Sequence, residues 1–284
     1  MFLFFNTGDK LHAFIPPRRG RATYYEPPVF RFPYVRKTSL FSKVLWFENR
    51  NRFDIDYFGI LQPRRQVSHK PRYRSGIFHS EKCGREIQYE SGLELDFIKY
   101  LEGSEEVLFY WEQPVDIPYW RGKLKARTYP DFAVYLRSRH FVIAEVKPLA
   151  DMLDHRVQAK AEGIMDFCCR RGFGFLLTDG RHTPEHLLKG KINRRLEREL
   201  KTALAAGPIR EVQYKAIKER CDATPGQLYR AIIRLDLKYS SHRFKLQRDN
   251  QSPIFRQVYF RKKRYDESEE ERTTTLLGSG QHKL

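Results

Sequence analysis

Residues 129–148 read Tyr-Pro-Asp-Phe-Ala-Val-Tyr-Leu-Arg-Ser-Arg-His-Phe-Val-Ile-Ala-Glu-Val-Lys-Pro. Two runs rich in β-branched and aromatic residues flank the polar stretch 137–140, which predicts a β-hairpin. Side chains alternate between faces along a strand, so Glu145 and Lys147 share one face. Asp131 joins them if it pairs across from 145 or 147, because directly opposed residues point the same way. The hairpin loop must then hold an odd number of residues or carry a bulge.

These three side chains suit phosphodiester hydrolysis. Mg²⁺ takes several oxygen ligands and keeps some waters, so two or three carboxylates and a backbone carbonyl form a typical site. Such a cation polarises the scissile phosphate and lowers the pKa of a bound water, while a lysine neutralises charge at phosphorus. Pro-Asp131 followed by Glu145-x-Lys147 resembles the PD-(D/E)xK pattern of restriction-endonuclease-like nucleases. The alternative is a solvated ion pair of Glu145 and Lys147 on an ordinary hairpin.

Positive charge is concentrated in two flanks of the chain. Its 284 residues carry 53 Lys and Arg against 35 Asp and Glu, a formal net charge of +18. Residues 1–74 hold fifteen basic and five acidic residues, 75–190 sixteen and eighteen, 191–264 twenty and seven, and 265–284 two and five. Basic flanks favour a polyanionic partner, most commonly nucleic acid. A merely soluble basic surface is the alternative, but it does not explain why the charge avoids the middle.

Cysteine spacing and hydropathy indicate the compartment. Four cysteines show no C-x-x-C spacing, which favours a reduced, cytosolic chain. No apolar run approaches the length of a membrane span, and the apolar start Met1–Phe5 is too short for a signal peptide. We therefore expect a soluble cytoplasmic protein with no membrane partner.

Residues 1–75 predict a basic N-terminal arm. Aromatics, prolines and arginines interleave without a sustained period, so little regular structure is expected. Such an arm can track a phosphate backbone and stack on splayed bases, and Arg18 and Arg19 are candidate DNA contacts. The arm could equally pack its aromatics on the folded domain or on a partner protein.

A strand and a helix start precede the hairpin. Arg85–Tyr89 predicts the strand, and Ser91-Gly-Leu-Glu94 matches a capping box with Ser91 as the N-cap. Glu94 has two interpretations. It is a cap residue, which the local sequence favours, or a third carboxylate beside the hairpin that ligates a metal.

The rest of residues 76–190 predicts an α/β nuclease domain. Val107–Ile117 predicts extended structure, Met152–Cys169 a helix and Phe173–Thr178 a buried strand. This order is typical of helices layered around a mixed sheet. The sequence leaves open the roles of three polar positions on the helix, Gln158, Lys160 and Glu162.

Residues 191–262 predict a second unit of helices. Apolar spacing indicates helices near Ile192–Leu200 and over Val212–Cys221. A third is expected after Thr224-Pro225, which supplies an N-cap and a proline at the first helical position.

This third helix and a following hairpin predict a winged helix. Its apolar stripe leaves Arg230 and Arg234 outward as candidate DNA contacts. Phe244–Leu246 and Val258–Phe260 are expected to pair as the hairpin, and such units place their last helix in the major groove. Protein contact is the alternative use of the same unit. The charged tail, residues 263–284, is expected to be disordered.

Three motifs, taken in order, resemble one family. The motifs are Glu90-Ser-Gly-Leu-Glu-Leu-Asp-Phe97, Tyr129-Pro-Asp-Phe132 and Ala144-Glu-Val-Lys-Pro148. They resemble the TnsA-like endonuclease subunits of heteromeric, Tn-seven-type bacterial transposases, over about residues 84–190 and less specifically over 191–260. The resemblance implies a restriction-endonuclease-like fold with a C-terminal winged helix, and a nucleoid-associated cytoplasmic location.

The same resemblance implies site residues and partners. The family's catalytic residues fall on Glu94, Asp131 and Lys147, and its metal ligands on Glu94, Asp131, Glu145 and the carbonyl of Val146. The cofactor implied is Mg²⁺ or Mn²⁺. The partners implied are double-stranded DNA at transposon ends, an integrase-type transposase subunit and an AAA+ transposition regulator. The alternatives are a stand-alone restriction or repair nuclease and a catalytically idle DNA-binding module on a nuclease fold.

Overall fold

A computed structural model gives the fold and describes residues 39–47, 75–249, 255–256 and 259–260. Arg18, Arg19 and the tail 263–284 lie outside the described residues. The strands are β1 (Leu45–Trp46), β2 (Gly76–Ser80), β3 (Arg85–Tyr89), β4 (Val107–Glu112), β5 (Ile117–Arg121), β6 (Leu124–Thr128), β7 (Phe132–Leu136), β8 (Phe141–Val146), β9 (Gly174–Thr178), β10 (Ile209–Arg210), β11 (Leu237–Ser240) and β12 (Lys245–Arg248). The helices are α1 (Gly92–Gly103), α2 (His155–Arg171), α3 (Arg194–Ala206), α4 (Glu211–Arg220) and α5 (Pro225–Arg234).

A five-stranded mixed sheet forms the centre, in the order β1-β9-β8-β7-β4. Strands β8 and β9 run parallel, and the other neighbours are antiparallel. Every residue of β8 and β9 is buried, as expected of central strands with near-continuous apolar sequence. The prediction of a mixed α/β fold around a mixed sheet is confirmed.

Helices α1 and α2 cover opposite faces of this sheet. Phe97, Ile98 and Leu101 of α1 share an apolar cluster with the strand residues Val142 and Ala144. The other cluster joins Ile143 and Phe175 of the strands to α2, through Ala161, Ile164 and Met165. The alternation of strand side chains therefore assigns one helix to each face.

The hairpin β5–β6 lies against α2 at a glycine. A Cβ atom added to Gly163 would lie 2.4 Å from Cβ of Tyr119 in β5, far inside van der Waals contact. Glycine is thus required for this close approach of helix and strand. The turn at the end of the hairpin contains Gly122, with φ of 63°.

Part of the predicted arm is regular structure. Leu40–Lys43 forms a short 3₁₀ helix, and β1 pairs antiparallel with β9 at the edge of the central sheet. Leu45 lies opposite Phe175 and Trp46 opposite Gly174, where the small residue leaves room for the indole ring. The sequence does not predict this short helix and strand, because two paired residues are too few to produce a period.

The second unit contains α3, α4, α5 and a three-stranded sheet in the order β10-β12-β11. Thr224 caps α5, with Pro225 at its first position, as predicted. The predicted hairpin is wrong, because β12 pairs with β11 through Leu237–Ser240. Tyr259 and Phe260 have helical backbone and are buried in the core, so they belong to no wing strand.

Asp154 joins the second unit to the first. Its Oδ1 accepts a hydrogen bond of 2.8 Å from the backbone of Arg156 and caps α2, while Oδ2 accepts one of 2.7 Å from the backbone of Ser241. Within the described part of the chain, no helix has the length and hydropathy of a membrane span.

Candidate active site

The register of the central hairpin aligns two acidic residues at its open end. Phe132 pairs with Ala144, and the next residues outward are Asp131 and Glu145. Between the last paired residues, Tyr135 and Phe141, lie the five residues 136–140. The predicted odd loop is confirmed, and Asp131 therefore falls opposite Glu145 rather than opposite its neighbour.

Asp131 is anchored to the end of β8. Its Oδ2 accepts a hydrogen bond of 2.7 Å from the backbone N–H of Val146 and one of 3.2 Å from Nζ of Lys147. Its own carbonyl accepts a bond of 2.8 Å from the N–H of Gln113 in the preceding loop. The carboxylate is thereby fixed toward Lys147.

Two lysines converge on one oxygen of Glu145. Oε1 of Glu145 lies 2.8 Å from Nζ of Lys147 and 2.6 Å from Nζ of Lys160. The Glu145 side chain is only 1% exposed, so it requires charge compensation. Burial alone would lower the pKa of Lys147, but Asp131 and Glu145 raise it overall. Lys147 therefore remains an ammonium group between two carboxylates.

Glu94 lies near this group without bonding to it directly. Glu94 lies three residues after the N-cap Ser91, as predicted, and its backbone N–H donates a hydrogen bond to the Ser91 hydroxyl. Oε2 of Glu94 accepts a hydrogen bond of 2.7 Å from the backbone N–H of Glu90. Burial and the charge of Asp131 raise the pKa of Glu94 to about 7, against the opposing effect of Lys147. Ser91 is confirmed as the N-cap, while the Glu94 carboxylate bonds to the N–H of Glu90 and not to that of Ser91. The raised pKa of Glu94 reports first its burial and then the nearby carboxylate of Asp131.

The oxygen atoms of this site are of the kind that binds a hard cation. Oε2 of Glu145 is buried and has no hydrogen-bond partner among the described residues, which is costly for a carboxylate oxygen. Carboxylate and carbonyl oxygens are the ligands that Mg²⁺ and Mn²⁺ prefer. Across the described ranges, however, no three His, Cys, Asp or Glu side chains stand together as a metal-binding group. The ammonium groups of Lys147 and Lys160 supply the positive charge between the carboxylates.

Lys160 is the site residue that the sequence did not assign. It lies on α2, fifteen residues beyond Glu145, on the face of the sheet that Glu145 shares. The sequence does show a lysine in the helix that follows the Glu145-x-Lys147 strand. Helical spacing alone, however, does not determine whether that side chain points toward Glu145.

The neighbouring polar residues of α2 have other partners. Oε1 of Gln158 accepts a bond of 3.2 Å from Nε of the buried Arg256, and Oε1 of Glu162 accepts one of 3.0 Å from the N–H of Phe255. Arg256 also donates to the carbonyl of Leu237. Gln158 and Glu162 therefore hold the segment around residues 255–256 against α2.

The outward orientation predicted for Arg230 and Arg234 is wrong. Nη1 of Arg230 donates to the carbonyls of Leu188 and Gly190, the latter at 2.6 Å. Nε of Arg234 donates to Oε1 of Glu197 at 2.8 Å. Both guanidinium groups bind α5 to neighbouring segments, because long side chains at the margin of an apolar stripe fold over toward acceptors.

Comparison with known proteins finds no matching family model and no matching curated relative. The resemblance to TnsA-like endonucleases therefore rests on the three sequence motifs alone.

Proposed function

We propose that this chain is a metal-dependent DNA endonuclease with a restriction-endonuclease-like core. The observation that carries the proposal is the meeting of Asp131, Glu145 and Lys147 at the open end of one buried hairpin, with Nζ of Lys147 within 3.2 Å of both carboxylates. A merely structural ion pair needs one acid and one base. Here Lys147 contacts both Asp131 and Glu145, and Glu145 also contacts Lys160, so two carboxylates and two lysines form one connected group. Clustering of this kind is typical of functional sites.

The carboxylates of Asp131, Glu145 and Glu94, with the carbonyl of Val146, would hold Mg²⁺ or Mn²⁺. When bound, the cation supplies Lewis-acid polarisation of the phosphate and a water of lowered pKa. The unpartnered Oε2 of Glu145 supports this assignment, because it leaves a buried acceptor for a cation.

The lysines act on the phosphate. Lys147, whose pKa is raised, holds its proton and donates hydrogen bonds to the attacking water and to the phosphate oxygens. Lys160 neutralises Glu145 from the side of α2 and adds positive charge against the developing phosphorane. Water oxygen bonds to phosphorus, the P–O3′ bond breaks, and the proton passes to the leaving oxygen. The products are a 3′-hydroxyl and a 5′-phosphate.

The order of motifs supports a more specific role in transposition. We propose that the protein nicks the strand at the transposon 5′ ends, beside an integrase-type transposase subunit and an AAA+ regulator. The second unit supports the winged-helix part of this proposal, because its three helices are followed by a hairpin whose strand β12 also pairs with β10. The half-buried Arg230 and Arg234 are already bonded to neighbouring segments, so we expect other residues of this unit to carry most of its contact with DNA.

A strand-resolved nicking assay tests the proposal. The purified protein is incubated with an end-labelled duplex and Mg²⁺, with and without candidate transposase subunits. Asp131→Ala and Lys147→Ala are expected to reduce nicking by about 10²-fold or more while DNA binding persists. The matched controls, Asp96→Ala and Lys99→Ala, remove exposed charges from α1 and are expected to leave nicking unchanged. Undiminished cleavage by Asp131→Ala would refute the assignment.

The same assay separates the alternatives. Cleavage of both strands by the purified protein alone would favour a stand-alone restriction or repair nuclease. DNA binding with no metal-dependent cleavage under any condition would favour an idle module on a nuclease fold.

A further inference from the structure

A groove lined by basic residues lies where α2, the hairpin β5–β6 and the sheet of the second unit meet. It consists of two adjoining cavities of about 300 Å³ and about 440 Å³, which share His155, Arg156 and Lys238 in their walls. Six side chains bring full positive charges to it: Arg121, Arg156, Arg210, Lys238, Arg243 and Lys245. We propose that this groove binds the phosphate backbone of duplex DNA next to the scissile phosphate, an inference that rests on the proposed nuclease function.

Among the described residues, the six basic side chains of the groove have no acidic partner in an ion pair. No Asp or Glu lines either cavity, and no ion pair within the described ranges involves any of the six side chains. Elsewhere the described arginines commonly have acidic partners, as in the pairs of Arg85 with Glu112 and Arg220 with Glu199. Six cations in one place repel each other, so a group of them without acidic neighbours in the described ranges favours an anionic partner.

A buried acidic residue, Asp154, lies in sequence beside the groove residues His155 and Arg156. Asp154 is only 4% exposed, and its two carboxylate oxygens bind the backbone of Arg156 and of Ser241. Its role is to hold the turn between β11 and β12 beside the start of α2. This contact fixes the spacing between Arg156 on one wall and Arg243 on the other.

Helix α2 connects the groove to the candidate active site. Arg156 and Lys160 are four residues apart, so they lie on one face of the helix about 6 Å apart along its axis. Phosphates of one B-DNA strand are spaced about 3.4 Å apart along the duplex axis. A strand whose phosphate lies at Lys160 can therefore place a phosphate about two nucleotides away at Arg156.

The chemistry of the lining favours a polyanion over a small molecule. Small-molecule sites are mostly apolar with few polar groups, whereas Arg, Lys and His make up most of these walls. Arg121, Arg156, Arg210 and Arg243 are also exposed, so an extended partner can reach them. Lysine and arginine contacts to phosphate supply most of the sequence-independent affinity of DNA-binding proteins.

The test measures binding of the full-length protein to a fluorescein-labelled 30-base-pair duplex of arbitrary sequence, in EDTA, at several salt concentrations. The groove variant combines Arg156→Ala, Lys238→Ala and Arg243→Ala. The control variant combines Lys191→Ala, Lys201→Ala and Lys218→Ala, which removes the same charge from exposed positions outside both cavities. The groove variant is expected to bind about 10- to 100-fold more weakly, with a salt slope smaller by about 2–3.

Equal losses in the two variants, or an unchanged salt slope in the groove variant, would overturn the groove as the DNA site. Thermal unfolding of both variants checks that the fold is retained, and all six substitutions lie at exposed or half-buried surface positions. Because EDTA removes the cation, the result does not depend on catalysis. If the groove variant binds DNA normally, only the groove proposal fails, and the nicking assay still decides the nuclease proposal. If the protein does not nick DNA, the binding result for the groove still stands.

Discussion

Nζ of Lys160 lies 2.6 Å from Oε1 of Glu145, the oxygen that Lys147 also contacts at 2.8 Å. One lysine comes from the strand end and the other from the helix that covers the same face. The pair compensates a carboxylate that is almost completely buried. Lys160 thereby also competes with any cation for that oxygen.

Replacing Lys160 by Met is expected to tighten Mn²⁺ binding and slow nicking. Removal of one positive charge about 4 Å from a cation is worth at least about 1 kcal/mol, the value for unit charges in bulk water, or about fivefold in affinity. The nicking rate is expected to fall about 10-fold, because charge stabilisation at the phosphate is lost. Calorimetric titration of Mn²⁺ without DNA measures the first effect, and single-turnover nicking measures the second.

Lys160→Arg is the control for this variant. It keeps the charge, so it is expected to restore part of the nicking rate and to bind Mn²⁺ much as the native protein does. Weaker Mn²⁺ binding by Lys160→Met would contradict the competition between the lysine and the cation.

Arg230→Ala and Arg234→Ala are expected to lower stability rather than DNA affinity. Arg230 satisfies two carbonyls, so its loss should cost about 1–3 kcal/mol, and the partly exposed pair of Arg234 with Glu197 should cost about 1 kcal/mol. Urea unfolding measures the loss, and the salt dependence of duplex binding is the comparison. A reduced salt slope with unchanged stability would show that these arginines contact DNA after all.

Asp179 predicts an acid-sensitive contribution to stability. Its carboxylate accepts hydrogen bonds from the backbone of Arg181 at 2.9 Å and of His182 at 2.6 Å. Burial alone would raise the pKa of Asp179, but these bonds lower it overall. A carboxyl whose folded-state pKa is depressed stabilises the fold above its unfolded pKa, and this stabilisation disappears as the pH falls through the folded-state value.

Asp179→Ala is therefore expected to cost about 1–2 kcal/mol at pH 7 and progressively less below about pH 4. Chemical unfolding at a series of pH values measures the difference between variant and native protein. A cost that stays constant down to pH 2 would assign the effect to packing instead of ionisation.

Local signals in the sequence predicted much of the unit that holds the central sheet. The N-cap at Ser91, the proline after Thr224 and the odd loop of the central hairpin are all set by neighbours within a few residues. Such features depend on backbone geometry that short-range chemistry determines. The convergence of Asp131, Glu145 and Lys147 followed from that register.

Long-range partners could not be predicted in the same way. The direction of Arg230 depends on carbonyls about forty residues away, and that of Lys160 depends on the packing of α2 across the sheet. The apolar run ending at Phe260 predicts a strand, but Leu237–Ser240 lies closer in sequence to β12 and pairs with it through a shorter loop. Tertiary contacts decide such cases over local pattern.

The attachment of Phe255 and Arg256 to Gln158 and Glu162 has a consequence for shortened versions of the protein. Phe255 and Arg256 are hydrogen-bonded to α2, the helix that carries Lys160. A chain that ended before Phe255 would lose these two contacts with α2 and would expose the apolar surface that Phe260 covers. A truncation that removes the charged end but keeps these contacts must therefore begin after Phe260.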